Sequence, residues 1–362
     1  MAVKTRGFLV LIAVLGLVFL ASCSSGTSTT TTAATNSSPA STTASTTAAS
    51  AAPTSTTAPA MTAVKFMTGA KNIIAADLPF VVAFENGYYK DSGLDVSFIW
   101  GDGYGASLRV LGTGGTDFAE TDLASATAAV EEKLPVTSVA IYAHNSSAGL
   151  VFHSSKPITG PKSIKGMKIA TSAGSGSGLM FDTWLAANGL TDKDFTRVNV
   201  PGNQKPIVFA QNKVDAYVGW AYDDLPEARK IAGAGAVGWY YFTQDNVKVP
   251  GLGIEASLAQ ISANPDRVKA FISATKKGYE FAAGDPAAAV ALALKLQPTT
   301  DAKLLTEQWQ IFSEGEAKSV DATKPWGWQD PAAWVETVKV FGSPGKSQPM
   351  DMYYTNEFLA AN

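Results

Sequence analysis

The distribution of apolar and polar positions divides the chain into three unlike stretches. An unbroken apolar run over residues 8–21 follows Lys4 and Arg6, and residues 24–59 are almost entirely Thr, Ser, Ala and Pro without a charge. From Val64 onward, apolar and polar residues alternate in short periodic blocks. Within these, residues 64–67 read as a strand, 78–89 as a helix and 94–100 as a second strand, a β-α-β unit. A helix at 106–111 leads through Gly112-Thr113-Gly114-Gly115 to a strand at 116–119, and a helix at 123–133 leads to a strand at 136–142. Strands and helices thus keep alternating, which points to an α/β fold.

A similar series recurs. Residues 166–170 read as a strand, 179–188 as a helix closed by Gly189, and 195–200 as a strand. The stretch 106–118 also matches 206–217: each runs from an apolar helix through a polar turn to an Asp and an aromatic strand. Asp117-Phe118 and Asp215-Ala216-Tyr217 therefore occupy equivalent places. Any two α/β units share this much, as would a pseudo-repeat; the order of elements favours two related lobes. After Pro250, one long helix opens with Asn264 and Pro265 and aligns Val268, Phe271, Ile272, Thr275 and Tyr279; another starts near Pro286. A last helix at 331–341 follows Asp330, and these C-terminal helices are expected to pack back on the first lobe. Trp326 and Trp328 are expected to pack there rather than to line a site.

The N-terminal run has the layout of a secretory signal peptide, residues 1–22, and is short for a membrane span. It ends in Leu20-Ala21-Ser22-Cys23, and Cys23 is the single cysteine of the chain, so no internal disulfide is available to it. These four residues resemble the bacterial lipobox, which implies a lipidated Cys23 and a chain fixed to the extracytoplasmic face of a membrane. An ordinary secretory signal is the alternative, and export holds under both. Residues 23–61 have too little to bury and read as a disordered tether. The folded part is expected to comprise a first lobe at 62–148 and 251–362 and a second at 149–250.

Charge and chemistry narrow the function. Lys and Arg number 28 against 31 Asp and Glu, interspersed without long runs, so neither a nucleic-acid footprint nor a polybasic membrane patch is visible. The two histidines, His144 and His153, have no cysteine companion, and no metal site is expected. Gly174-Ser175-Gly176-Ser177-Gly178 misses the nucleophile-elbow, dinucleotide and P-loop spacings. No catalytic residue and no cofactor are nominated. The same loop lies between a strand and a helix, where amides and hydroxyls gather at a helix N-terminus; Ser175, Gly176 and Ser177 are candidate anchors for an anion or polar oxygen. A turn whose glycines serve backbone geometry alone is the competing reading.

Further candidates sit at strand ends: Asp77 in Asp77-Leu78-Pro79, Thr121 and Asp122 in Glu120-Thr121-Asp122, Asn145 at the lobe crossing, and Trp220, Tyr222 and Asp223. Aromatic faces beside carboxylates suit a flat, partly polar ring with donor groups, although ordinary burial would also account for Trp220 and Tyr222.

Several stretches together carry a family resemblance. They are Phe84-Glu85-Asn86-Gly87-Tyr88-Tyr89-Lys90-Asp91-Ser92-Gly93-Leu94-Asp95-Val96, Gly115-Thr116-Asp117-Phe118, Ile164-Lys165-Gly166-Met167-Lys168-Ile169, Val214-Asp215-Ala216 and Asn264-Pro265-Asp266-Arg267-Val268. Lys277-Gly278-Tyr279-Glu280 and Trp326-Gly327-Trp328-Gln329-Asp330-Pro331 add to them. The chain resembles the nitrate, sulfonate, taurine and thiamin-pyrimidine-precursor group of ABC substrate-binding proteins.

That resemblance implies a two-lobed periplasmic-binding-protein-like fold of type II. Each lobe would be a mostly parallel sheet flanked by helices, and the two would be joined by two crossing strands. It also implies a monomeric receptor that clasps a small molecule by hinge closure, performs no chemistry on it, and hands it to ABC permease and ATPase subunits. Relatives that bind pyrimidine precursors often carry an aromatic and an Asn-Pro pair where this chain has Asp77-Leu78-Pro79, and no arginine stands beside the serine loop. A neutral or singly charged aromatic solute is therefore expected. Two other classes stay open: an exported sensor that presents its solute to a signalling partner, and a pyrimidine-precursor biosynthetic enzyme on the same fold. The latter is intracellular and histidine-rich among eukaryotic relatives, unlike this chain.

Overall fold

A computed structural model of the chain describes residues 61–360, apart from 246, 248, 316–320 and 322. The signal run, Cys23 and the tether up to residue 60 lie outside the described residues. Among the described residues, ten strands form two five-stranded sheets.

In the first sheet, β1 (Thr62–Met67) lies between parallel neighbours β2 (Leu94–Ile99) and β3 (Phe118–Asp122). The outer strand β2 keeps one wet face, and Leu94 and Val96 alternate with exposed Asp95 and Ser97. Beyond β3 lies β10 (Leu252–Ser257), antiparallel both to β3 and to β4 (Val136–Ile141). All residues of β3, β4 and β10 are buried, because helices cover both faces there. The second sheet runs β7-β6-β8-β5-β9, with β5 (Ala148–His153), β6 (Lys168–Thr171), β7 (Thr196–Asn199), β8 (Ala216–Trp220) and β9 (Val237–Tyr241). Its one reversed strand is β5, antiparallel to β8 and β9. The chain passes between the sheets twice, after β4 and after β9. The result is the expected α/β, two-lobed architecture, with one antiparallel strand inserted in each otherwise parallel sheet.

Strand β3 begins two residues later than the sequence suggests and continues through Asp122. Thr116 and Asp117 are taken up in binding the backbone of Lys65: the Thr116 hydroxyl donates to its carbonyl at 2.7 Å, and its N–H donates to the Asp117 carboxylate at 2.7 Å. The polar run Glu120-Thr121-Asp122 hides the far end of the strand.

On one face of the first sheet pack α1 (Leu78–Glu85), α2 (Tyr88–Asp91), α9 (Pro265–Gly284) and α10 (Pro286–Leu296). Phe66, Phe80, Phe118 and Phe271 stack at the centre of this layer, Phe118 and Phe271 with centroids 4.3 Å apart. The short α8 (Leu258–Ala263) leads into α9. On the other face lie α3 (Tyr104–Gly112) and α4 (Leu123–Glu131). The second sheet is covered by α5 (Gly176–Ala187) on one face and by α6 (Lys205–Ala210) and α7 (Ala221–Ala232) on the other.

Two C-terminal helices reach further than the expected return to the first lobe. The helix α12 (Pro331–Phe341) buries Trp334 and Val338 beside α4, while Val340 and Phe341 pack on the core of the second sheet. The helix α11 (Ala302–Gly315), absent from the sequence reading, spans from the first sheet's core to α7. Trp326 packs on the first core as expected, with its ring 5.8 Å from that of Tyr279. Among the described residues no helix is long and apolar enough to cross a membrane.

Candidate ligand-binding site

Strand ends of both sheets meet between the lobes. From the first, a 3-10 turn at Ala75–Asp77 buries Asp77 completely, with Oδ2 accepting the Ile74 N–H at 2.9 Å. Glu120, fully buried on β3, accepts the Tyr142 hydroxyl at 2.7 Å and the Tyr104 hydroxyl at 3.4 Å. Tyr104 opens α3 and can lie there because residue 69 is glycine; a Cβ at Gly69 would stand 1.9 Å from its ring. From the second sheet comes Tyr222, in the first turn of α7, its hydroxyl 3.1 Å from that of Tyr104. This contact links the two lobes.

Trp220, at the end of β8, donates its backbone N–H to Asp224 at 2.7 Å, and its ring packs against the cores of both lobes. Lys205 holds Asp224 from the other side at 3.2 Å. Asp223 is partly buried and receives the Gln308 side-chain amide at 2.9 Å.

Burial sets the protonation of this cluster. Desolvation raises the Asp77 carboxyl well above the usual range, and the neighbouring Glu120 raises it further. Glu120 is also raised by burial, but its hydrogen bonds from Asp77, Tyr142 and Tyr104 favour the ionised form. Asp77 and Glu120 are close enough for each carboxyl to bear on the titration of the other. Of the two, Asp77 is raised further and keeps its proton to the higher pH. Desolvation, Asp224 and Glu227 push Asp223 up to about 8, against the opposing pull of Lys205 and Gln308. Burial likewise raises Tyr104 and Tyr142, so both remain donors. The site thus offers carboxyl oxygens and several hydroxyls among aromatic rings, a match for a ring bearing N–H donors.

The other nominated residues stand apart from this cluster. Asp122 caps α4, accepting the Ser125 N–H at 2.9 Å and the Ser125 hydroxyl at 2.7 Å. It also lies against the second lobe, where a Cβ at Gly176 would be 2.1 Å from its Oδ2. Ser175 caps α5, accepting the Gly178 N–H at 3.1 Å, and its hydroxyl donates to the Ser172 carbonyl at 2.9 Å. Ser177 is buried beside it, the two hydroxyl oxygens 3.5 Å apart. The N-terminus of α5 therefore meets a carboxylate supplied by the chain itself.

Thr121 donates to the buried Glu255 at 2.5 Å. Asn145, on the first crossing segment, lines a cavity of about 570 Å³ with His144, Ser146, Ser147, Tyr241 and Thr243, and its amide donates to the Gly315 carbonyl at 3.3 Å. Of the nominated residues, the structure gathers Asp77, Trp220, Tyr222 and Asp223 in one cluster, and Asp122 with Ser175–Ser177 in another.

Sequence reasoning passed over Tyr104, Tyr142 and Gln308, and chose the two neighbours of Glu120 in its tripeptide. The glycines around Tyr104 in Gly101-Asp102-Gly103-Tyr104-Gly105 were a usable signal. Tyr142 reads as an ordinary strand end, and Gln308 lies in a helix that the pattern did not reveal.

Two α/β lobes joined by two crossings, with polar side chains from both converging between them, define the class: a two-lobed periplasmic-binding-protein-like fold. The chain belongs to the NMT1/THI5-like family, whose model matches residues 76–289. It is 26% identical over 321 residues to the riboflavin-binding protein RibY of Chloroflexus aurantiacus, covering 85% of this chain and 90% of that one. The 4-amino-5-hydroxymethyl-2-methylpyrimidine phosphate synthase THI11 of Saccharomyces cerevisiae is 24% identical over 296 residues, covering 78% and 84%. The formylaminopyrimidine-binding protein of Halalkalibacterium halodurans is 23% identical over 263 residues, covering 71% and 78%. Among solved structures, the periplasmic nitrate-binding protein NrtA of Synechocystis PCC 6803 superimposes with a TM-score of 0.62 at 17% identity, covering 82% of this chain and 87% of that one. The aliphatic sulphonate-binding protein SsuA of Escherichia coli gives 0.61 at 15% identity, covering 77% and 85%. Both likenesses concern the fold.

Proposed function

We propose that the chain is the extracytoplasmic solute receptor of an ABC importer, which clasps a small heteroaromatic nutrient between its lobes and hands it to a permease. The observation that carries this reading is the cluster of Asp77, Glu120, Tyr104, Tyr142 and Tyr222, assembled from both lobes. Its carboxylate would accept ring or exocyclic N–H groups, its hydroxyls would orient the ring, and Trp220 would offer an aromatic face. The named ligands of the relatives, riboflavin and formylaminopyrimidine, are donor-bearing heteroaromatics of this kind. Lobe 1 is assigned to residues 62–148 and 251–362 and lobe 2 to 149–250, with opening about the two crossings. Lipidation at Cys23 would hold a monomeric receptor at the extracytoplasmic face.

A second reading is synthesis of a pyrimidine precursor, favoured by the likeness to the yeast enzyme. The buried site offers hydrogen bonding and charge, and we assign it binding without turnover. A thermal-shift series tests the choice, using riboflavin, 4-amino-5-hydroxymethyl-2-methylpyrimidine, formylaminopyrimidine, alkanesulfonates and nitrate. A solute held at a hundred times its Kd stabilises the native state by about 2.7 kcal/mol. Stabilisation by one of the heteroaromatics, recovered unchanged afterwards, is expected. Stabilisation by nitrate or sulfonate alone would refute the ring assignment, and conversion of the solute would establish the enzyme.

A further inference from the structure

We propose that Gln308 is a positioning residue for Asp223, which makes α11 a wall of the solute site. The proposal rests on reading the cluster around Tyr222 as solute-binding, and adds a helix that lies beyond residues 76–289 matched by the family. Gln308 is buried, and its side-chain nitrogen donates to Asp223 Oδ1 at 2.9 Å. One turn on, Phe312 packs edge-on against Tyr222, with centroids 5.4 Å apart, and touches Tyr142 at 6.1 Å. A single helix thus meets site residues of both lobes.

Two ion pairs tie α11 and the residue before it to α7. Arg229 meets Glu307 at 2.9 Å, and Lys230 meets Asp301 at 2.6 Å. The glutamine is thereby delivered to one carboxylate oxygen and not merely to the vicinity. The surroundings of Asp223 make a neutral donor useful there. On its own helix stand Asp224 and Glu227, and Lys205 approaches from α6. Asp77 from the 3-10 turn and Tyr217 from β8 are within electrostatic reach, and Glu307 lies on α11 beside Gln308. In this mostly acidic setting an amide N–H favours the ionised form of Asp223 without adding a charge, and it fixes which oxygen remains for another donor.

The test follows the Asp223 carboxyl by carbon NMR in the intact protein, comparing wild type with Gln308→Leu and Gln308→Glu. Loss of one hydrogen bond to a charged group should move the titration of Asp223 upward by about one pH unit in Gln308→Leu. It should move further in Gln308→Glu, where a second carboxylate faces the first. Solute affinity of the same variants, with riboflavin and 4-amino-5-hydroxymethyl-2-methylpyrimidine as probes, is expected to fall at least fivefold with a displaced pH profile. An unmoved titration in both folded variants overturns the role of Gln308, whatever happens to binding. A moved titration with unaltered solute affinity preserves the Gln308–Asp223 coupling but removes Asp223 from the site, which overturns the wall assignment for α11. Should one variant fail to fold, the other decides.

Discussion

Burial pushes the Glu120 carboxyl up, while the two tyrosine hydroxyls that donate to it pull the other way. Both hydroxyls donate to the same oxygen, Oε1, so either tyrosine keeps that oxygen paired when the other is removed. Ser175 behaves differently. Its hydroxyl caps α5, and Ser175→Ala should cost about 1 kcal/mol of stability, read as a fall of about 2–4 °C in melting temperature. If the serine also touches solute, affinity falls as well; if it is a cap alone, only the melting temperature moves. A calorimetric scan with a binding titration separates the two. The chemistry at this scale was only half legible in the sequence. Asp77, Tyr222 and Asp223 stand out as polar groups at strand ends, but which of Glu120, Thr121 and Asp122 turns toward them depends on a strand that begins two residues later than its apolar pattern suggests.

At the scale of elements, legibility followed exposure. The alternation in β2 and the proline-led starts of α9, α10 and α12 are visible because one face of each is wet or the cap is explicit. Strand β10 escapes notice because it is buried on both faces and carries Glu255 in its middle. Helix α11 escapes because Gln308 interrupts the stripe of Leu305, Trp309 and Phe312. That buried glutamine pairs with Asp223 on the other lobe, a contact across 85 residues of chain. The meeting of α4 and α5 yields a prediction at this scale. Gly176 lets the Asp122 carboxylate approach the start of α5, and a Cβ there would be 2.1 Å from it. Gly176→Ala should therefore separate the lobes, with a larger radius of gyration in solution scattering and weaker solute binding. An unchanged scattering profile would mean that the contact yields locally.

For the whole molecule, the buried acids couple stability to pH. Asp77, Glu120, Asp122, Asp223 and Glu255 are all raised in the native state by burial. Unfolded, they ionise near the ordinary value of about 4, so above that pH the native state binds more protons than the unfolded chain. Stability is then fullest below the unfolded values and is lost as pH rises through the folded ones, with Asp223 contributing up to about 8. Asp194, Asp215, Asp301 and Asp321 are lowered and act oppositely, losing their contribution as pH falls through their folded values. These are the more exposed and weaker set. Melting temperatures should accordingly decline from pH 5 to pH 8; a rise over that interval would mean that the central carboxylates are ionised in the folded protein.

The same cluster carries the functional claim, and titration calorimetry on wild type and Glu120→Gln addresses it most directly, using the solute that gives the largest thermal shift. The variant keeps the shape of the side chain and replaces its carboxyl by an amide. One solute per chain is predicted for the wild type, and at least tenfold weaker binding for Glu120→Gln, a loss of about 1.4 kcal/mol or more. Equal affinity in the two proteins would contradict the account, because the solute would then bind without the Glu120 carboxyl.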